Sequence, residues 1–191
     1  MDGVAGVITA GGQSRRFGAD KALYELGGRT LLSRVAASLS ACAPRLLVAQ
    51  PGKYDLPGWQ TVPDARPGEG PLAGLYAALS ELERQHAGGW AAFAAVDLPH
   101  LSPALWATLA RFRDDAEIVC GSANSGQAQP LAALYRVSLC PRVEALLDVG
   151  ERRVNTLLSV SNTRRVPWAD LAHLGPGVFD NVNTPADIRD I

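Results

Sequence analysis

The chain reads Ile8-Thr9-Ala10-Gly11-Gly12-Gln13-Ser14-Arg15-Arg16-Phe17-Gly18-Ala19-Asp20-Lys21 directly after a short apolar run that begins at Val4. This order predicts a buried strand that ends in small residues, so that backbone N–H groups can approach a ligand closely. Two arginines and a lysine follow the glycines, and such side chains bind phosphate oxygens well. The stretch therefore predicts a polyanion site, with a nucleotide triphosphate as the first candidate.

Spacing excludes two well-known glycine motifs. A Walker A loop needs four residues between its glycines and then Gly-Lys-Ser/Thr, whereas five residues separate Gly12 from Gly18. The dinucleotide-binding pattern Gly-x-Gly-x-x-Gly is also absent from this stretch. These departures argue against a kinase-type phosphate loop and against a hydride-transfer fold. The structural alternative is a glycine-rich surface turn with scattered arginines.

Composition predicts one domain over residues 1–191, without a membrane or nucleic-acid surface. The chain is 47% hydrophobic and 19% charged, which suits a single well-buried domain. Its formal net charge is -1, so anion binding has to be local. No basic n-region is seen, and the first apolar run is far shorter than the roughly 20 residues of a membrane span. Three cysteines without C-x-x-C spacing fit a reducing cytosol, and a cytoplasmic protein is expected.

Strands and helices are predicted to alternate along the chain. The run from Trp90 to Val96 is continuously apolar, as in a central parallel strand that is covered on both faces. Thr30, Pro71 and Ser102-Pro103 are typical first residues of helices. The resulting order predicts a three-layer α/β domain. Strands are predicted at 4–8, 46–49, 61–62, 90–96, 118–121, 131–136 and 164–167, later helices at 141–149 and 154–159, and a mobile polar loop at 122–129.

A second chemical centre is predicted at Asp97. This residue directly follows the central apolar strand, and open α/β sheets place their ligand crevice at that end of the strands. A carboxylate that faces a triphosphate can hold Mg²⁺, which takes oxygen ligands and usually keeps several waters. The alternative is that Asp97 only caps the following turn. The Pro/Gly-rich stretch 63–70 is expected to form a wall of the site.

Several segments resemble one family over nearly the whole chain. The stretch 8–21 resembles the nucleotidyltransferase signature Leu-Ala-Gly-Gly-x-Ser-x-Arg-Met-Gly-x-Asp-Lys, with Thr9 and Phe17 in place of Leu and Met. Residues 96–103 look like the family's magnesium segment, Cys-Asp-x-Pro-Phe/Tyr-Leu/Ile-x-Pro. Similar matches are Gly70-Pro71-Leu72-Ala73-Gly74, Gly150-Glu151-Arg152-Arg153-Val154 and Asn181-Val182-Asn183-Thr184-Pro185-Ala186-Asp187.

By these motifs the chain is identified as a member of the MobA family of molybdenum cofactor guanylyltransferases, in the nucleotidyltransferase superfamily. The resemblance implies an α/β fold, a three-layer α/β/α Rossmann-like nucleotidyltransferase domain with a mostly parallel central sheet. It also implies that GMP passes from GTP to the terminal phosphate of molybdopterin, with or without molybdenum, and that pyrophosphate is released. Mg²⁺ is the implied cofactor. Transient contacts with molybdopterin-binding and molybdoenzyme-maturation proteins are implied as well.

The resemblance assigns roles to individual residues. Arg15, Lys21 and Asp97 are expected to be catalytic, with Asp97 as the metal ligand. The expected nucleotide-binding residues are Thr9, Ala10, Gly11, Gly12, Ser14, Arg15, Lys21, Asp64, Gly74 and Asp97. The expected acceptor-binding residues are Arg152, Arg153, Asn181 and Asn183, although the arginines could instead be a solvated pair. Ala49 replaces a nucleotide-contacting Asn of the family, and Gln129 replaces a His that relatives often carry.

Guanine specificity depends on a small feature. The resembling cytidylyltransferases tend to read Ala-Ala-Gly where this chain reads Ala10-Gly11-Gly12, and the extra glycine leaves room for the larger purine. A molybdopterin cytidylyltransferase and another small nucleotidyltransferase remain open alternatives. A non-catalytic carrier of the molybdenum cofactor is a third. The joint presence of Lys21 and Asp97 disfavours the carrier, which needs neither pyrophosphate stabilisation nor a metal.

Overall fold

The structure is a computed structural model that describes residues 1–11, 20–64, 66–87, 89–182 and 187. The strands are β1 (Val4–Thr9), β2 (Glu25–Leu26), β3 (Arg29–Thr30), β4 (Arg45–Val48), β5 (Gln60–Val62), β6 (Trp90–Ala95), β7 (Ile118–Ser122), β8 (Ala128–Arg136) and β9 (Thr163–Val166). The helices are α1 (Leu31–Ser38), α2 (Pro71–Arg84), α3 (Pro103–Ala110), α4 (Cys140–Asp148), α5 (Val154–Ser159) and α6 (Trp168–Leu171). Short 3₁₀ turns cover Lys21–Leu23, Val137–Leu139 and Ala172–Leu174.

Seven of these strands form one sheet in the order β5-β4-β1-β6-β8-β7-β9. Among the described strands of this sheet only β8 runs antiparallel to its neighbours, so the sheet is mostly parallel, as predicted. At the carboxyl end of β1, Thr9 lies beside Val48 on one side and Ala95 on the other. The ends of β4, β1 and β6 therefore share one edge, which is where α/β sheets of this kind bind ligands.

Apolar side chains cover both faces of the sheet, which confirms the predicted three layers. On one face Ile8 packs in a cluster with Leu32 of α1 and Trp106 of α3. On the other face Val7 and Phe93 pack in a cluster that includes residues of α2, α4 and α5. Neighbouring residues of a strand point to opposite faces, so the uninterrupted apolar runs of β1 and β6 supply both clusters.

The predicted helix starts are confirmed by their caps. The Thr30 hydroxyl accepts a hydrogen bond from the Ser33 N–H at 3.1 Å, which satisfies one free donor of α1. Pro71 and Pro103 occupy the first positions of α2 and α3, where no N–H is needed. None of the helices in the described part of the chain is long and apolar enough to span a membrane.

Two details near hairpins differ from the sequence prediction. The predicted loop 122–129 is shorter, because Ser122 pairs with Ala128 and β8 already includes Gln129 and Pro130. The register between β7 and β8 shifts here, so the missing N–H of Pro130 falls at an irregularity of the ladder. The β2–β3 hairpin was not predicted. It turns at two glycines with φ of 58° and 74°, Gly27 and Gly28.

The three cysteines of the chain are buried in the core and form no disulfide. Cys42, Cys120 and Cys140 are all buried and free. Burial raises the pKa of Cys42 to about 11 and that of Cys120 and Cys140 to about 12. Because the thiolate is the reactive form, these side chains act as small apolar residues of the core at neutral pH.

Candidate active site

The glycine-rich stretch leaves the sheet between β4 and β6. The Ala10 N–H donates to the Val48 carbonyl at 3.0 Å, and the Val96 N–H donates to the Thr9 carbonyl at 3.1 Å. These bonds continue the strand pairing to the edge where a ligand would bind. Ala10 is buried, whereas Gly11 is exposed, and a Cβ at Gly11 would meet no described atom within 4 Å. No described residue therefore fills the space beside Gly11. Gly12, Ser14 and Arg15 lie outside the described residues.

The two predicted chemical centres meet at the ends of β1 and β6. Lys21 begins the 3₁₀ turn after the glycine-rich stretch, and Asp97 follows β6. The Lys21 Nζ lies 3.5 Å from Asp97 Oδ2, with 13% and 27% of the two side chains exposed. Partial burial reduces solvent screening, so this ion pair is stronger than an exposed one. The structure thus brings together two residues that sequence analysis had assigned to one site.

One oxygen of Asp97 has no partner in the described part of the chain. Asp97 Oδ1 is buried and accepts no hydrogen bond there. An unpaired buried carboxylate oxygen is unfavourable, and such atoms often mark a position that a ligand or ion completes. The described residues contain no group of three or more His, Cys, Asp or Glu side chains that could hold a metal. Among the described residues, a cation at Asp97 would therefore not meet a ready-made cluster of three such side chains.

The carboxyl-terminal motif is anchored at the same aspartate. The Val182 N–H donates to the Asp97 carbonyl at 2.9 Å, and the Val182 side chain is fully buried against Leu26 and Leu31. Asn181 precedes this anchor and is exposed. The structure therefore places Asn181 at the rim of the site. Asn183, the other predicted acceptor-binding asparagine, lies outside the described residues.

Asp64 follows β5, and Gly74 of α2 packs on the end of β1. Asp64 Oδ1 accepts a hydrogen bond from the Arg66 N–H at 2.9 Å, which fixes the turn after β5. Gly74 is buried, and a Cβ there would lie 2.9 Å from Thr9 Cγ2. The glycine lets α2 pack closely on the end of β1. The predicted nucleotide contacts of Asp64 and Gly74 stay predictions.

Arg152 and Arg153 lie beside the stretch 63–70. Arg152 donates to the carbonyls of Leu147 and Glu151 at 3.2 and 3.0 Å, and its Nη2 lies 3.3 Å from Glu69 Oε1. Arg153 is largely exposed and pairs with Glu151 at 3.2 Å. Within the described residues neither arginine forms a hydrogen bond or ion pair with the Lys21–Asp97 pair. Their predicted acceptor-binding role stays a prediction, and the contacts give both arginines a structural role.

Sequence analysis missed a polar cluster next to Lys21. The Tyr54 hydroxyl lies 2.9 Å from both carboxylate oxygens of Asp20, and Lys53 Nζ lies 2.8 Å from Asp20 Oδ2. Burial by itself would raise the pKa of Asp20, but hydrogen bonds from Lys53, Tyr54 and the Ala22 N–H hold it below its ordinary value. The carboxylate is therefore charged at neutral pH. The only sequence signal was Asp20 itself, because Tyr54 lies in a loop far along the chain.

Known proteins are similar to this chain over most of its length. The family described as MobA-like NTP transferase domain matches residues 6–165. A protein of Deinococcus radiodurans named probable molybdenum cofactor guanylyltransferase is 50% identical over 185 residues, which cover 96% of this chain and 91% of that protein. A protein of the same name from Geobacillus sp. (strain WCH70) is 32% identical over 204 residues, covering 100% of this chain and 99% of the relative.

A solved structure shows the same fold. It is the molybdopterin-guanine dinucleotide biosynthesis protein A of Archaeoglobus fulgidus, which superposes with a TM-score of 0.78 at 24% sequence identity. The match covers 97% of this chain and 95% of that one. At this level of identity the likeness concerns the fold, and it extends over both the parallel half and the β8-containing half of the sheet.

Proposed function

The chain belongs to the MobA-like NTP transferase family, and from this premise we propose that it transfers GMP from GTP to the terminal phosphate of molybdopterin. The names of the Deinococcus and Geobacillus relatives support the guanylyl transfer. The observation that carries the proposal is the meeting of Lys21 with Asp97 at the carboxyl ends of β1 and β6, where no described group of the chain bonds to Asp97 Oδ1. A cation and an unpaired carboxylate oxygen are what a metal-bound triphosphate requires.

The reaction needs alignment rather than a strong base. An oxygen of the molybdopterin phosphate forms a bond to the α-phosphorus of GTP, and the bond from that phosphorus to the bridging oxygen of the β-phosphate breaks. Pyrophosphate leaves with the electron pair of the broken bond. Because the attacking phosphate oxygen is already ionised, no side chain has to remove a proton. The protein therefore has to hold the molybdopterin phosphate and the triphosphate of GTP in line and to neutralise their charge.

Lys21 is well placed for charge neutralisation. Its side chain is mostly buried and lies at the sheet edge near Gly11, whose added Cβ would meet no described atom. In the proposed complex Lys21 and Arg15 contact the β- and γ-phosphates, and they stabilise the charge that develops on the departing pyrophosphate. A fixed cation in a partly desolvated position is more effective in this role than one in water.

Asp97 is the proposed ligand of Mg²⁺. When bound, the ion supplies positive charge to the phosphate oxygens and holds the triphosphate in one orientation. The unpaired Oδ1 atom fits this assignment, because it is an oxygen donor that no described group of the chain satisfies. The backbone of Asp97 is fixed by the bond from Val182, which keeps the carboxylate in place.

The remaining contacts are proposed from position in the fold and from family resemblance. Gly11 and Gly12 would admit guanine and ribose close to the backbone, and the lack of described atoms around a Cβ at Gly11 supports this. Asn181 and Asn183 would contact the acceptor, because the segment that contains them is anchored at Asp97. A cytoplasmic location is supported by the three unpaired cysteines. Transient contacts with molybdopterin-binding and molybdoenzyme-maturation proteins would deliver the acceptor and receive the product.

Pyrophosphate release tests the proposal. The protein is incubated with Mg²⁺ and purified molybdopterin, and GTP, CTP, ATP and UTP are compared side by side. We expect release that depends on the pterin and occurs with GTP. A preference for CTP would overturn the guanine assignment and favour the cytidylyl branch. No release with any nucleotide would overturn catalysis and favour a cofactor carrier.

A further inference from the structure

The Tyr54 hydroxyl joins the two ends of the glycine-rich stretch. Tyr54 is buried in the connection between β4 and β5. Its hydroxyl oxygen lies 3.3 Å from the carbonyl of Ala10 and 2.9 Å from each carboxylate oxygen of Asp20. Ala10 follows β1 directly, and Asp20 caps the turn that begins at Lys21. One side chain from a distant loop therefore connects the end of β1 with the start of that turn.

Asp20 in turn fixes the backbone from which Lys21 extends. Asp20 Oδ1 accepts a hydrogen bond from the Ala22 N–H at 3.1 Å, and the Asp20 carbonyl accepts one from the Leu23 N–H at 3.1 Å. Both bonds belong to the cap of the 3₁₀ turn that begins at Lys21. The direction of that turn determines where the Lys21 side chain points. A fixed Asp20 carboxylate thereby favours the position of Lys21 at 3.5 Å from Asp97.

Lys53 balances the charge of this carboxylate. Its ammonium group lies 2.8 Å from Asp20 Oδ2 and 5.0 Å above the centre of the Tyr54 ring. An uncompensated carboxylate beside a phosphate site would repel the substrate. With Lys53 and the Tyr54 hydroxyl as partners, Asp20 can orient the turn without opposing phosphate binding. The cluster therefore suits a supporting role and leaves Lys21 as the group that meets the substrate.

We propose that Tyr54 is a positioning residue, which acts through Asp20 to hold Lys21 in place for the phosphates of the nucleotide. The catalytic part of this inference rests on the proposed function. The Tyr54 hydroxyl contacts the Asp20 carboxylate, and its effect therefore passes to Lys21 along the cap of the turn. Loss of the hydroxyl leaves the ring in the core and frees the Asp20 carboxylate from a strong hydrogen bond. Lys21 then occupies its productive position for a smaller fraction of the time.

The substitution Tyr54→Phe tests the proposal, with Tyr76→Phe as the matched control. The Tyr76 hydroxyl also bonds to a carboxylate, Glu144, but on the surface between α2 and α4. We expect Tyr54→Phe to lower kcat for pyrophosphate release about tenfold, since misplacement of a charge-stabilising group is costly. Tyr76→Phe should leave kcat within about twofold of the wild-type value. Full kcat in Tyr54→Phe would overturn the proposal.

A double-mutant cycle separates positioning of Lys21 from general support of the fold. If Tyr54 acts through Lys21, Tyr54→Phe should cause almost no further loss of kcat in a Lys21→Ala background. An equal tenfold loss in both backgrounds would show that the hydroxyl only stabilises the fold, and it would overturn the proposal. The thermal midpoint of each variant is recorded, and we expect Tyr54→Phe and Tyr76→Phe to lower it by similar amounts.

The same cycle remains informative if the proposed reaction fails. Should the wild-type protein release no pyrophosphate, the cycle is repeated with the dissociation constant of GTP, measured calorimetrically. We then expect Tyr54→Phe to weaken GTP binding in the wild-type background and not in Lys21→Ala. Independent effects in the two backgrounds, or no GTP binding at all, would overturn the role of Tyr54. Catalytic function and positioning are thereby tested by different results.

Discussion

Two carboxylates that lie in motifs of the same family are used in different ways. Asp97 is paired through Oδ2 with Lys21 at 3.5 Å, while its buried Oδ1 has no described partner. Glu151 uses both oxygens within the chain. Its Oε1 accepts from the N–H groups of Arg152 and Arg153 at 2.8 and 2.9 Å, and its Oε2 accepts from the Thr156 hydroxyl at 2.7 Å.

The difference shows how a structural acid can be told from one that awaits a ligand. The Arg153 guanidinium, the Thr156 hydroxyl and two backbone N–H groups hold the pKa of Glu151 well below its usual range. The chain thus satisfies this carboxylate completely, and Glu151 orders the turn before α5. Asp97 keeps acceptor capacity at the edge of the sheet where ligands bind. Position in a motif does not distinguish the two residues, whereas their hydrogen-bond partners do.

The largest effect is expected for Asp97→Asn. The amide keeps the shape of the side chain but removes the charge that would hold Mg²⁺. We expect kcat for pyrophosphate release from GTP to fall on the order of 10²-fold or more. The thermal midpoint should fall slightly, because Lys21 loses its partner in a partly buried ion pair. Wild-type turnover in this variant would contradict the functional assignment of Asp97.

A comparable or somewhat smaller loss is expected for Lys21→Ala. Removal of the ammonium group leaves the β- and γ-phosphates with less positive charge, so we expect kcat to fall about 10²-fold and the KM for GTP to rise. Steady-state kinetics with saturating molybdopterin measures both. Unchanged kinetics would restrict Lys21 to an ion pair with Asp97 and would weaken the contrast with Glu151.

Two glycines at the site allow a structural position to be compared with a ligand-binding position through the free energy of unfolding. Gly74→Ala places a Cβ 2.9 Å from Thr9 Cγ2. Overpacking costs about 1–3 kcal/mol and the gain in helix propensity returns up to about 1 kcal/mol, so we expect a net loss of about 1 kcal/mol in the free energy of unfolding. Urea denaturation measures this loss.

Two further variants control the glycine experiment. Thr9→Ser removes the clashing methyl group and should restore most of the stability of Gly74→Ala. Gly11→Ala should change the free energy of unfolding by less than about 0.5 kcal/mol, because its Cβ would meet no described atom, while GTP binding weakens. If Gly74→Ala were as stable as the wild type, the packing role of Gly74 would be wrong.

The smallest effect on turnover is expected for Glu151→Gln. We expect kcat within about twofold of the wild-type value and a lower thermal midpoint at neutral pH. A carboxylate whose folded pKa is depressed stabilises the fold above its unfolded pKa of about 4.3, and this contribution is lost as the pH falls through the folded pKa. The difference in midpoint should therefore shrink in acid. A difference that is independent of pH would contradict the role given to the Glu151 charge.

Local sequence patterns predicted most of the fold. The run from Trp90, the cap at Thr30 and the proline at position 71 act within a few residues, so the elements that they begin were foreseen with small errors at their ends. The short elements β2, β3 and α6 were not predicted. The direction of β8 was less accessible, since an apolar strand looks similar in parallel and antiparallel pairings. The polar residues of 122–129 favoured a loop, although the irregular register accommodates the end of this segment in β8.

The site was predicted only in part, because the sequence shows local motifs but not contacts between distant segments. Lys21 and Asp97 belong to motifs whose chemistry is visible in the sequence, and the sheet brings them together. The cluster around Asp20 depends on Tyr54, whose contact forms only when the loop after β4 folds back on the end of β1. Likewise, the packing role of Gly74 depends on Thr9 in another layer. Such contacts are set by the tertiary structure and leave no local pattern.

Binding of Mn²⁺ in the presence of a non-hydrolysable GTP analogue tests the contrast between Asp97 and Glu151 most directly. Mn²⁺ takes the oxygen ligands that suit Mg²⁺, and its binding can be followed by electron paramagnetic resonance. The wild-type protein, Asp97→Asn and Glu151→Gln are titrated side by side. We expect equal Kd values for the wild type and Glu151→Gln, and binding at least about tenfold weaker for Asp97→Asn. Equal affinity in all three proteins would contradict the assignment of the metal to Asp97.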